Sequence, residues 1–105
     1  ALDNLAAAGL PSQRMWMSGG ATHSPLWPSI LADVAGVPLH LARDANWPAR
    51  GAAILAGAVG GLLGDLAAAS SVWRLPLATV TPDLNNAARY AARYAEHRQL
   101  VAQLA

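Results

Sequence analysis

Residues 14–36, RMWMSGGATHSPLWPSILADVAG, decide how this chain is read. The stretch opens on a short apolar run, Met15-Trp16-Met17, that predicts a strand from Arg14 to Ser18. Gly19 and Gly20 then permit backbone angles that a side chain would forbid. Ser24 is a favourable N-cap and Pro25 stands at the favoured first helical position. Leu26, Trp27, Ile30, Leu31, Val34 and Ala35 recur with helical spacing, and Asp33 falls off that face. Pro28 conflicts with this start, because it lacks the N–H for the first intrahelical bond. Strand, glycine turn and helix start bring main-chain N–H groups and a helix N-terminus to one point. That geometry suits a ligand needing close backbone approach.

The surrounding 105 residues make one domain at most. Apolar residues are 54% and charged residues 12% of the chain, so a packed core is expected. Alanine inflates the apolar share and Phe is absent. The expected anchors are therefore Trp16, Trp27, Trp47, Trp73, Tyr90 and Tyr94. A net charge of +1 argues against a nucleic-acid surface. All seven basic residues are Arg, which removes Schiff-base and P-loop lysines together. Zero Cys removes thiolate catalysis and Cys-based zinc sites and fits a reducing, cytoplasmic compartment. No signal peptide is legible in residues 1–12. The chain opens without Met, on what reads as the end of a helix from Leu2 to Gly9, and a piece of a longer protein is expected.

Beyond residue 36, Gly36 and Pro38 stop the helix, and Leu39 to Ala42 alternates as a short strand. Pro48 starts the next helix. The run from Gly51 to Gly64 has no polar side chain, yet is shorter than the roughly 20 residues that span a bilayer. A buried helix is expected there. Its small residues Gly51, Ala52, Gly57, Gly60 and Gly61 would pack hard against a neighbour. A short helix follows from Asp65 to Ser71. Trp73 to Val80 is extended, with Pro76 marking an edge or bulge. Thr81-Pro82-Asp83 reads as cap, first-turn proline and first-turn acid of a last helix. Leu84, Ala87, Ala88, Ala91, Tyr94, Ala95 and Val101 form its expected buried stripe.

Few residues carry chemistry. His23, His40 and His97 lack ligand spacing, so no metal site is assigned. His23 reads as an exposed loop histidine. No nucleophile–base pair or Gly-x-Ser-x-Gly elbow occurs. Gly19-Gly20 lacks the later glycine of a dinucleotide fingerprint. On physical grounds alone, nucleotide contact and a tight connection stand open as readings of the turn.

Three segments in order, SGGATHSPLWPSILADVAGVPL (18–39), ARGAAILAG (49–57) and TPDLNNAARYAARYAEHRQL (81–100), resemble the C-terminal end of the FGGY family of carbohydrate kinases. Xylulokinase-like members are the most similar, through SPLW and the Pro-Asp…Asn-Ala…Tyr ending. No single segment is specific; the ordered set is. The resemblance implies an α/β fold, helix-rich with a few short strands. It would be part of an actin-like ATPase (ribonuclease H-like) domain, with residues 1–105 as the C-terminal part of the second kinase domain. It implies an enzyme that transfers the terminal phosphate of ATP, with Mg2+, to a hydroxyl of a sugar, a pentulose or similar. It implies that Gly19, Gly20 and Ala21 touch the nucleotide through their backbone, and that Ser24 hydrogen-bonds the base or ribose. Gly51 and Ala52 match small residues of the helix behind that pocket. Pro28 and the Asn46-Trp47-Pro48 approach depart from the family pattern. The family's phosphate loops, sugar-binding residues and catalytic aspartate lie upstream of this stretch, and Asp33, Asp44 and Asp65 do not match the catalytic position. Sugar and ATP are the expected partners, without nucleic acid or membrane, and an uncovered docking face could form a homodimer. The alternative is a small non-catalytic α/β interaction module of the same fold.

Overall fold

In a computed structural model of the protein, residues 2–43, 46–72 and 77–105 are described. Asp44, Trp73 and Pro76, named above, lie outside them. The order is α1 (Leu2–Ala7), β1 (Met15–Ser18), a single 3-10 turn (Gly20–His23), α2 (Trp27–Ala35), β2 (Leu39–Ala42), α3 (Trp47–Val59), α4 (Leu66–Val72), β3 (Ala78–Val80) and α5 (Leu84–Leu104). The class is α/β and helix-rich, with one three-stranded sheet among the described residues.

β2 is the central strand. It pairs parallel with β1, Met15 opposite Leu39, and antiparallel with β3, Leu39 opposite Val80. Alternation of side chains sends Leu39 and Leu41 to one face, where each is 1% exposed against Ala32 of α2. Met15, Met17, Leu31 and Val80 complete this core. On the other face, Trp16, His40 and Thr79 share one cross-strand row. The rings of Trp16 and His40 lie 4.9 Å apart, and His40 Nδ1 is 3.0 Å from Thr79 Oγ1. Trp16 remains exposed there, with the Arg14 guanidinium 6.0 Å from its ring centre.

The core is smaller than the composition suggests, and the large anchors are not in it. Trp16 and Trp27 are exposed, as are Tyr90 and Tyr94. Leu39 and Leu41 do the filling instead, because their face of the central strand is covered by α2. The exposed surface is 7707 Å2, where a compact monomer of this mass exposes about 5,500 Å2. The radius of gyration is 17.9 Å, against about 13 Å for a compact chain of this length.

Helix α2 starts two residues later than Ser24-Pro25 implied, and this resolves the conflict at Pro28. With Trp27 as the first helical residue, Pro28 sits in the first turn, where its missing N–H would have no intrahelical partner. The N-cap is Leu26 rather than Ser24, but the Ser24 Oγ accepts from the N–H groups of Leu26 at 3.3 Å and Trp27 at 3.2 Å. The buried face also differs from the apolar one. Pro28, Ala32 and Asp33 are buried, while Leu26, Trp27 and Val34 are exposed. The reason is that α2 is held on two sides, by the sheet and by α5. Gly36 ends the helix as expected, in the left-handed conformation at φ 67°.

The expected buried helix over Gly51–Gly64 is corrected in length and burial. Helix α3 ends at Val59, and Gly61, at φ 70°, turns the chain. Val59 is 89% exposed, and Gly51 and Ala52 face open surroundings. Of the small residues, Gly57 is the one packed hard: a Cβ there would lie 2.5 Å from Cδ1 of Leu63, which folds back from the turn. Helices α3 and α4 pack mainly on each other, and among the described residues most of the apolar run stays exposed or half-buried. The short helix after Asp65 forms as α4, with Asp65 Oδ1 accepting from the Ala68 N–H at 2.8 Å.

Helix α5 is capped by Asp83 rather than Thr81. Asp83 Oδ1 accepts from the N–H groups of Asn85 and Asn86 at 2.8 and 3.2 Å. None of its expected stripe is buried; Leu84 and Val101 are exposed and Ala87 is half-buried. Docking relies on polar contacts instead. Asp33 Oδ1 accepts from the Asp83 N–H at 2.7 Å, and Oδ2 accepts from Asn86 Nδ2 at 3.0 Å. Replacing Asp33 by Asn puts an amide donor against these donors. Asp33→Asn is expected to cost about 1–3 kcal/mol in urea unfolding. An unchanged midpoint would mean that α5 is held by other contacts.

Further along α5, Arg98 lies 3.9 Å from Asp3 of α1. The Asp3 carboxylate also accepts from the Tyr94 phenol, and this hydrogen bond, with the carboxylate's charge, raises the Tyr94 pKa above its usual 10.0. A raised value means that the contact supports the fold while the phenol stays protonated, below about pH 10. The support is lost as pH climbs through the folded-state value. Ultraviolet titration should show one tyrosine ionising late, and Asp3→Asn should return it towards its ordinary range.

Candidate functional site

The parallel β1–β2 pair has a definite direction, and the glycine turn leaves β1 at its carboxyl end. In open α/β sheets, ligands bind outside the carboxyl ends of the strands. β3 runs the other way, so the Thr81-Pro82-Asp83 segment emerges at the opposite edge.

Gly19 has φ 91° and ψ −173°, a conformation essentially confined to glycine. From there the chain enters the 3-10 turn Gly20–His23. Its closure depends on Thr22, a residue the sequence reading passed over. Thr22 is 1% exposed, its Oγ1 donates to the Gly19 carbonyl at 2.7 Å, and its N–H donates to the same oxygen at 3.1 Å. The available signal was a Thr three residues after the first glycine, which allows a local side-chain-to-backbone bond.

Gly19, Gly20 and Ala21 are all exposed, and a Cβ built on either glycine would meet nothing within 4 Å. The main chain here therefore faces open space that side chains do not fill. Ser24 follows at the end of the turn and is half-buried. Its oxygen serves the Leu26 and Trp27 N–H groups, which leaves its hydroxyl proton to donate outward. These four residues lie together at the carboxyl edge. His23 is exposed, as a loop histidine should be. Gly51 and Ala52, in α3, are exposed, and α3 shares few contacts with the turn.

The described residues contain no group of three His, Asp or Glu that could hold a metal ion. No helix among them is long and apolar enough to cross a membrane. Asp33 is committed to α5, and Asp65 to the α4 cap.

Comparison of the sequence with known proteins shows its family. Residues 1–59 match the model of the FGGY family of carbohydrate kinases, C-terminal domain, and the chain belongs to that family. Its relatives include a ribulokinase of Mycolicibacterium smegmatis, 38% identical over 96 residues, covering 89% of this chain and 17% of the relative. An L-xylulose/3-keto-L-gulonate kinase of Escherichia coli (strain K12) is 31% identical over 88 residues, covering 84% of this chain and 18% of the relative. The chain thus spans under a fifth of the length of these curated relatives.

The two glycines of the turn differ in what they tolerate. Gly19→Ala is expected to cost about 1–3 kcal/mol of stability, because alanine is strained at this φ and ψ. Gly20→Ala, which has helical neighbours and open space, should stay within about 0.5 kcal/mol. Equal effects in thermal or urea unfolding would contradict this description of the turn.

Proposed function

We propose that this chain is the adenosine-side, C-terminal part of an ATP-dependent sugar kinase. In this reading residues 1–105 belong to the second domain of an actin-like ATPase fold. The observation that carries it is the bare main chain of Gly19-Gly20 at the carboxyl edge of β1, in a chain of the FGGY family. A planar base needs a slot without side-chain obstruction, and open glycine backbone provides one.

Gly19, Gly20 and Ala21 hold the nucleoside through backbone contact, and the Ser24 hydroxyl donates to the base or ribose. Bound MgATP supplies the transferable phosphate and the charge neutralisation that phosphoryl transfer requires. This chain's residues orient the nucleoside end and exclude water from it. No proton transfer is assigned to them, and no described residue is assigned to the magnesium ion. The base for the sugar hydroxyl and the sugar contacts come from the larger remainder of the enzyme. One relative is named a ribulokinase and the other an L-xylulose/3-keto-L-gulonate kinase; the pentulose in each name supports a pentulose as the sugar, and 3-keto-L-gulonate is a related alternative. The xylulokinase-like assignment is the finer version of that reading.

In the intact kinase, Gly20→Val places a branched side chain in the nucleoside slot. The KM for ATP should rise about tenfold, a loss of roughly 1.4 kcal/mol, while the KM for sugar changes far less. An unaltered ATP KM would remove this turn from the nucleotide site. The 105-residue chain alone holds only half of the site. Calorimetry should therefore show weak ATP binding at most, and submicromolar binding would contradict a split site.

A further inference from the structure

Helix α5 carries a feature that the nucleotide reading does not use. Asn86, Arg89, Tyr90 and Arg93 line a shallow cavity on it. Arg89 and Arg93 are one turn apart, so their guanidinium groups neighbour each other on the helix surface. Like charges at this spacing destabilise a helix when nothing offsets them. Both are exposed, and among the described residues neither has an ion-pair partner.

The nearby carboxylates are otherwise engaged or distant. Asp33 accepts from Asp83 and Asn86, and Asp83 caps the helix. Glu96 stands three residues beyond Arg93 without reaching it as an ion pair. The residues that line the cavity thus carry two guanidinium forks, the Tyr90 hydroxyl and the Asn86 amide, one N–H of which is bonded to Asp33. Planar guanidinium forks match the oxygen spacing of phosphate and bind it in paired hydrogen bonds.

We propose that this α5 cavity binds a phosphate-type oxyanion, either free phosphate or the phosphate group of a small ester. Its lining sits beside Asp33, towards the end of α2 remote from the glycine turn, so it is separate from the nucleoside slot and does not depend on it. Asn86 holds the cavity in place by linking it to α2, while Arg89 and Arg93 supply the charge.

The test titrates the 105-residue chain, at low ionic strength, with inorganic phosphate and separately with glycerol 3-phosphate, followed by calorimetry or backbone amide shifts. Saturable binding with a Kd near or below about 1 mM is expected, as two charge-assisted contacts can supply. Arg89→Gln and Arg93→Gln should each weaken it about tenfold or more, and Arg43→Gln, elsewhere on the surface, should leave it unchanged. Binding of both probes assigns the site to the bare oxyanion, and binding of the ester alone assigns it to a phosphorylated small molecule. No saturation with either probe, or equal loss in Arg43→Gln, would overturn the proposal. Adenosine, which lacks phosphate, serves as a separate probe of the glycine turn, so failure of one site is distinguishable from failure of the other.

Discussion

A buried carboxylate ties the start of α5, the longest helix among the described residues, to α2. Asp33 is 7% exposed and accepts from one main-chain and one side-chain donor of the α5 start. The Asp83 main chain donates to it, while the Asp83 side chain caps α5. Helix α5 buries no side chain of its own, so apolar burial contributes little to its placement. A buried charge is tolerable when its lone pairs are satisfied, and here two donors do so. The bond also ties together two segments separated by 50 residues in sequence, the Ala-Asp-Val-Ala-Gly end of α2 and the Pro-Asp-Leu-Asn-Asn start of α5.

From Asp33 the arrangement extends in both directions. Through Ala32, α2 presses on Leu39 and Leu41 and forms the core. At its other end α2 begins beside the glycine turn. The turn is therefore supported by the parallel strand pair on one side and by the start of α2 on the other. Thr22 closes it from within. A backbone contact site needs this kind of support, because a main chain left unbraced would not keep an open slot.

The large apolar side chains on the surface follow from the same arrangement. Leu26 just before α2, Trp27 and Val34 within it, Val59 at the end of α3, and Trp16 on the other sheet face all have sequence patterns that ask for burial. Among the described residues none of them is covered: each stays more than half exposed. The surface area and elongated shape agree, and the relatives, several times longer than this chain, have ample sequence with which to cover such faces.

The sequence by itself determined the local elements around residues 14–36 and the strand Leu39–Ala42. Glycines, prolines and period-two alternation act over a few residues, and their effects do not wait for distant partners. The ordered motifs also carried the resemblance to the family whose C-terminal domain residues 1–59 match. Burial was another matter. The pattern of α2 marked Asp33 as an outlier, and the patterns of α3 and α5 promised buried stripes. Whether a face is buried depends on what packs against it, and that is settled by contacts between residues far apart in the chain. Only the tertiary structure turned Asp33 from an off-face acid into the anchor of α5, found Thr22 inside the turn, and showed that the Gly19-Gly20 main chain stands open.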